Sequence, residues 1–232
     1  MIFTQLAATT SDRFREIQRL FAHLESLKLE ADAGDAVKGK ILASLKGFFF
    51  VHLYGYLESS VSQGVQIFLQ EISALNVSYA HCEQVFYSVV LDAEFKSATD
   101  KNSKNKKWSS RCDLLGRQLS VDACSPEDTI FADSLQSTGY KTLVEVFQTL
   151  NIAKLPVPNA RHIGFVDEVK DRRHEVAHGR IAPEAVGGAF TIQELKERMD
   201  SMELVVRHIL DVLEDHYLTR GFISAPHQLS YP

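Results

Sequence analysis

The segment from Ala36 to Leu75 constrains the fold more than any other part of the chain. Its apolar pattern is helical, and its centre (Phe48, Phe49, Phe50, Val51, Leu53 and Tyr54) is apolar all round. A helix with no polar face must be covered, either inside its own domain or by a second copy in a dimer. The most apolar part, Gly47 to Leu57, is interrupted by His52 and followed by Glu58, which leaves it too short to cross a bilayer.

The flanking sequence is helical as well. Phe14, Ile17, Phe21, Leu24 and Leu27 step by three or four and predict an amphipathic helix over Ser11 to Ala31. Gly34-Asp35 breaks it, and Asp35 is placed to cap the long helix. A third helix is expected over Tyr79 to Ala98 and a shorter one over Ser109 to Leu119. The pattern is weak from Ser120 to Gly139, and Tyr140 to Leu150 is helical again. Pro156 to Asn159 marks a sharp break. A helix then runs from Ala160 to His178, with Gly179 where a left-handed cap belongs. Thr191 and Glu194 form a capping box for a last helix, Ile192 to Thr219, with Leu195, Met199, Met202, Val206, Ile209 and Leu213 as its stripe. The expected fold is an all-α bundle of long antiparallel helices. Residues 1–222 form one domain, and 223–232 form a loosely held tail.

With 232 residues, 45% of them hydrophobic, the chain can bury a sizeable core. A net charge of −5 gives no global signal for a polyanion, so any nucleic-acid contact must be local. One local candidate is the run Lys101 to Trp108, in which Lys104, Lys106, Lys107 and Trp108 offer phosphate contacts and a base-stacking ring. The alternative is a solvated loop. Cys82, Cys112 and Cys124 are odd in number and widely spaced, which fits packing residues in a reducing compartment. Met1 to Thr10 lacks the layout of a secretory signal. A soluble, cytoplasmic protein without a membrane partner is expected.

The helix over Ala160 to His178 carries the chemistry. Asp171-Arg172-Arg173-His174-Glu175-Val176-Ala177-His178-Gly179-Arg180 fits two chemistries at once. From His174 it reads H-E-x-x-H, with two histidines on one helix face for a zinc ion and Glu175 as general base. That reading needs a third ligand, such as Glu194 or Glu197, and sets Arg172 and Arg173 unfavourably beside a dication. From Arg173 it reads R-x-x-x-x-H. Cleaving RNA without a metal needs a proton acceptor, a proton donor and a cation for the charge developing on phosphate. His178 can serve as base or acid, as histidines do near neutral pH, and Arg173 presents a fork of donors. Five residues turn an ideal helix by about 140°, so the two side chains converge only if the helix end distorts or a second copy completes the cleft. Structural roles are open to the same residues. Arg173 has Asp167, Glu168 and Asp171 in reach, and His178 suits a helix C-terminus.

Arg173-His174-x-x-x-His178-Gly179 resembles the R-x(4–6)-H motif of the HEPN superfamily, including the polar residue after the arginine and the Ala-His-Gly ending. Lys46, Tyr54 and Glu58 on the long helix resemble the Y-x-x-x-E helix of its RiboL-PSP-like branch, known from toxin–antitoxin and phage-defence operons. The resemblance implies a helical homodimer whose motif helices face each other across a composite ribonuclease cleft, with no cofactor. It assigns catalysis to Arg173 and His178, support to His174, and a cleft position to Glu58, with Asp171 and Arg172 flanking. RNA is the implied substrate, and a cognate antitoxin or activator protein the implied partner. Where some members carry a modifiable tyrosine two residues after the histidine, this chain has Arg180. A catalytically silent module binding RNA, nucleotide or protein is the alternative within the same fold.

Overall fold

The computed structural model describes residues 2–99 and 107–231. Among these, the regular structure is helical, and the only β pairings are two isolated antiparallel bridges, Ser78 with Ala123 and Cys82 with Ile223. The architecture is therefore all-α, as expected.

Helix α1 (Thr4–Asp32) begins earlier than its pattern suggested, because Leu6 and Thr10 extend the buried stripe of Phe14, Ile17, Phe21, Leu24 and Leu27. Gly34 takes φ +101°, a turn that favours glycine, and the Asp35 carboxylate accepts the Val37 and Lys38 N–H groups to open α2 (Ala36–Ala74). The two helices run antiparallel. Phe14 meets Tyr56 at 5.4 Å between ring centroids, and Phe21 meets Phe49 at 5.9 Å.

Beyond α2 the chain departs from expectation. The single helix expected over Tyr79 to Ala98 is a 3₁₀ turn (Tyr79–His81) followed by α3 (Tyr87–Val90) and α4 (Asp92–Thr99). Distant backbone claims the intervening groups: Tyr79 and Ala80 N–H donate to Asp122 and Ser120, and Glu83 N–H donates to Phe222. Next come α5 (Lys107–Arg117), α6 (Ala132–Leu135) and α7 (Tyr140–Thr149). The Asp167 carboxylate accepts the Tyr140 N–H at 2.9 Å, so α8 caps α7.

Helices α8 (Arg161–Ala177) and α10 (Ile192–Leu218) complete the bundle around α2. They run antiparallel to each other, tied by Arg198–Glu168 at 2.8 Å and by His162 Nδ1 to Ser201 Oγ at 2.5 Å. The Thr191–Glu194 capping box is present, and the whole predicted stripe of α10 is buried. The core centres on α2: Phe49, Phe50, Leu53, Leu57, Phe68, Leu69 and Ile72 are wholly buried, each contributing about 1.5–3 kcal/mol relative to exposure. His52 is exposed in this chain, and His208 Nε2 lies 2.9 Å from the Leu155 carbonyl oxygen. The well-buried histidine is His162.

The tail is not loosely held. Phe222 and Ile223 are fully buried beside Phe68 and Phe86. Tyr231 accepts the Ser78 N–H at 3.0 Å and lies 2.7 Å from His81 Nδ1, and the His227 ring stacks on His81 at 3.8 Å. Two apolar residues and one hydroxyl, too few to form a period, anchor this segment.

A short helix that the sequence pattern did not show, α9 (Pro183–Gly188), lies directly on α2. A Cβ added at Gly47 would sit 2.2 Å from the Pro183 carbonyl oxygen, and one at Gly187 would sit 1.9 Å from that of Ala43. Only glycines permit this contact, and Lys46 Nζ seals its edge by donating to the Phe190 carbonyl. Gly47→Ala and Gly187→Ala are each expected to lower stability by about 2 kcal/mol or more. The loss would be read as a lower urea midpoint, and an unchanged midpoint would mean that α9 does not rest on α2 as described.

Candidate functional site

The site begins with two residues of α2 that share a face by i, i+4 spacing, Tyr54 and Glu58. Tyr54 is 1% exposed, and its hydroxyl donates to the Gln136 carbonyl at 3.1 Å. Burial, and then the nearby Glu58 charge, push the phenol above its ordinary range and keep it a donor. The ring presents its face to α8, where the Arg173 guanidinium carbon lies 4.3 Å from its centroid. Arg173 Nη2 lies 3.8 Å from Glu58 Oε2, with about a quarter of each side chain exposed. At that distance the pair attracts as charges without a directed hydrogen bond. Among the described residues no side chain or carbonyl takes a hydrogen bond from the Arg173 fork. The guanidinium is thus oriented by a ring and a carboxylate while its donors stay available.

His178 ends α8. Its backbone leaves helical geometry at φ −95°, ψ 7°, and Gly179 follows at φ +64°. Gly179 N–H donates to Val176 at 3.2 Å and Arg180 N–H to Glu175 at 2.9 Å, the paired bonds of a Schellman end. The helix end thus departs from ideal geometry at His178 and Gly179. The exposed His178 ring lies 4.3 Å from His174 between centroids. His174 is held below the usual imidazole range by partial desolvation and then by the positive charges of Arg180, His178 and Arg173; Asp171 acts the other way. No ion pair or hydrogen bond joins Arg173 to His178 directly.

The acids open to Arg173 in the sequence serve elsewhere. Asp167 caps α7, Glu168 pairs with Arg198, and Asp171 is an exposed neighbour of Lys170 at 3.9 Å. Arg172 pairs with Glu175 at 2.8 Å and extends over Phe190, with its centre 5.8 Å from that ring. It supports the junction with α10 rather than the Tyr54–Glu58 face. The Tyr54 platform was not foreseen, since a buried tyrosine in an apolar helix reads as core. The available signal was its spacing from Glu58. Lys104 and Lys106 lie outside the described residues. Lys107 opens α5, and Trp108, 72% exposed, has the Arg111 guanidinium 5.1 Å from its ring.

The zinc arrangement lacks its third donor. Glu194 is engaged with Thr191 in the capping box, Glu197 lies 3.6 Å from Arg198, and Glu175 is paired with Arg172. Among the described residues no group of three His, Cys, Asp or Glu side chains is arranged to hold a metal ion.

This bundle, with an arginine and a histidine at the end of an inner helix, defines an all-α HEPN-type domain, and comparison with known families agrees. A family model described as MAE_28990-like HEPN matches residues 2–222, and the chain belongs to that family. The superfamily read from the motif is thereby supported, under a family description other than the RiboL-PSP-like branch. Neither the curated proteins nor the solved structures contain a match. No helix among the described residues is long and apolar enough to cross a membrane.

Partial burial raises the Glu58 carboxyl above the usual range, with Arg173 acting against it. The folded protein then holds this proton to higher pH than the unfolded chain. The resulting stability is fully present below the unfolded pKa and is lost as pH rises through the folded one. Relative to Glu58→Gln, the wild type is expected to lose stability as pH rises from the ordinary glutamate range through the raised folded-state titration of Glu58. Melting curves that stay parallel across that range would contradict this environment for Glu58.

Proposed function

We propose that the protein is a metal-independent endoribonuclease that works as a homodimer in a toxin–antitoxin or phage-defence setting. The observation that carries this reading is the Arg173 guanidinium, seated between the Tyr54 ring and Glu58 with its donor fork unspent. A planar fork of that kind matches two oxygens of a phosphate. His178, at the exposed end of the same helix, is the proton-transfer group. His178 of one copy takes the proton of the ribose 2′-hydroxyl. The oxygen attacks the adjacent phosphorus, Arg173 balances the charge on the non-bridging oxygens, and His178 of the other copy protonates the departing 5′-oxygen. The products are a cyclic 2′,3′-phosphate and a 5′-hydroxyl, and no metal enters the step.

The second copy is supported by the uncovered ridge of α2. At 100° per residue, Phe48, Val51, Gly55 and Glu58 fall within a sector of about 80°. Phe48 is 46% exposed, Val51 is half-buried, and nothing lies within 4 Å of where a Gly55 Cβ would be. An apolar ridge continuous with Glu58 suits the same ridge of a second copy, because a two-fold contact pairs identical surfaces. A cognate antitoxin or activator protein remains part of this reading as the agent that controls the cleft.

Purified protein is expected to cleave RNA in the presence of EDTA. Arg173→Ala and His178→Ala should each reduce the rate by about 100-fold or more. Arg173→Lys should not restore it, because an ammonium lacks the planar fork. Undiminished cleavage by either alanine variant would reject the mechanism.

A further inference from the structure

Two of the three cysteines meet inside the fold. Cys82 and Cys124 stand 42 positions apart in sequence, yet their sulfurs are 3.7 Å apart and both side chains are buried. The backbones around them are already in register. Tyr79 N–H donates to Asp122, Ala80 N–H to Ser120 and Cys124 N–H to Val77, and Ser78 bridges Ala123. A disulfide needs sulfurs about 2.05 Å apart, so closure has to draw together two sulfurs that already touch at 3.7 Å. The cover is thin: Val121, Asp122, Ala123 and Ser125, flanking Cys124, are all exposed. Local opening of that short strip admits a small reagent without global unfolding.

What the pair encloses gives it consequence. The chain between the two cysteines holds α3, α4 and α5, and no described residue of α4 or α5 is buried. This arm is anchored at its base rather than by a core of its own, and the base is where the sulfurs lie.

We propose that Cys82 and Cys124 are an oxidisable pair that forms an intramolecular disulfide on exchange with a small-molecule disulfide such as oxidised glutathione, locking the base of the α3–α5 arm. The two sulfurs are within hydrogen-bonding distance, and either can donate. That contact, together with burial, pushes the Cys82 thiol up, and the same contact holds Cys124 below the usual thiol range. Cys124, whose flanking residues are exposed, is the sulfur that an entering disulfide meets first, and it attacks after giving its proton to solvent. It displaces one glutathione thiolate and becomes a mixed disulfide, and the released thiolate takes the Cys82 proton. Cys82 then attacks the Cys124 sulfur and expels the second glutathione as a thiolate, which takes up a proton from solvent. Two protein thiols are oxidised by two electrons and one disulfide is reduced to two thiols. Nothing in this step depends on the ribonuclease reading.

The test exposes folded protein to oxidised glutathione, alkylates what remains, and maps the peptides without reduction. The expected product has one alkylated thiol, Cys112, and a linked Cys82–Cys124 peptide. Its melting temperature should rise by about 5 °C or more over the reduced form. Cys112→Ser should behave the same way, and Cys124→Ser should yield no internal link. Three alkylated thiols, a glutathione adduct confined to Cys112, or links only between chains would overturn the proposal. The wild-type peptide map decides the matter even if a cysteine variant fails to fold.

Discussion

The burial of α2 fixes where everything else in this protein sits. Its aromatic and aliphatic side chains face α1, α8, α9 and α10 in turn, and interiors packed at this density do not deform gradually. Tyr54 and Glu58 project from a helix held along most of its length, so their spacing is set by the core and not by a loop. The glycine contact at Gly47 and Gly187 extends that control to α9, the first helix after the end of α8.

The electrostatics of the site follow from the same burial. A guanidinium over an aromatic face with a carboxylate at 3.8 Å is held in place without being neutralised by tight pairing. A close, bidentate partner would have consumed the donors that a phosphate needs. Burial raises the Glu58 carboxyl above its ordinary range, and the Arg173 charge opposes that rise. Arg172, one residue away, shows the other outcome. Its 2.8 Å pair with Glu175 and its place over Phe190 make it a fixture of the α8–α10 junction.

Much of this was legible in the chain itself. Asp35, the Thr191–Glu194 box and the left-handed Gly179 are local signals with local causes, and all three hold in the structure. The long helices were legible because their stripes repeat over many turns. Arg173 and His178 could be singled out by type and spacing, but the seat of Arg173 could not. Asp167, Glu168 and Asp171 were all within reach on its own helix, and only the packing of α8 on α2 selects Glu58. The breakage of the Tyr79–Ala98 helix and the docking of the tail depend on backbone partners from Ser120, Asp122 and Phe222, which no periodicity encodes. Short α9 was hidden for a related reason, since its glycines read as loop until the helix they touch is in view.

The stretch between α6 and α7 contains no residue with an assigned chemical role, yet it is tied to both walls of the site. The Gln136 carbonyl takes the Tyr54 hydroxyl, and the Tyr140 N–H is held by Asp167 of α8. Residues 136–140 therefore bridge α2 and α8 through one hydrogen bond to each. Lengthening or shortening the chain there would break at least one of these two ties. Tolerance to insertions and deletions, generous in most surface connections, should be narrow at this one.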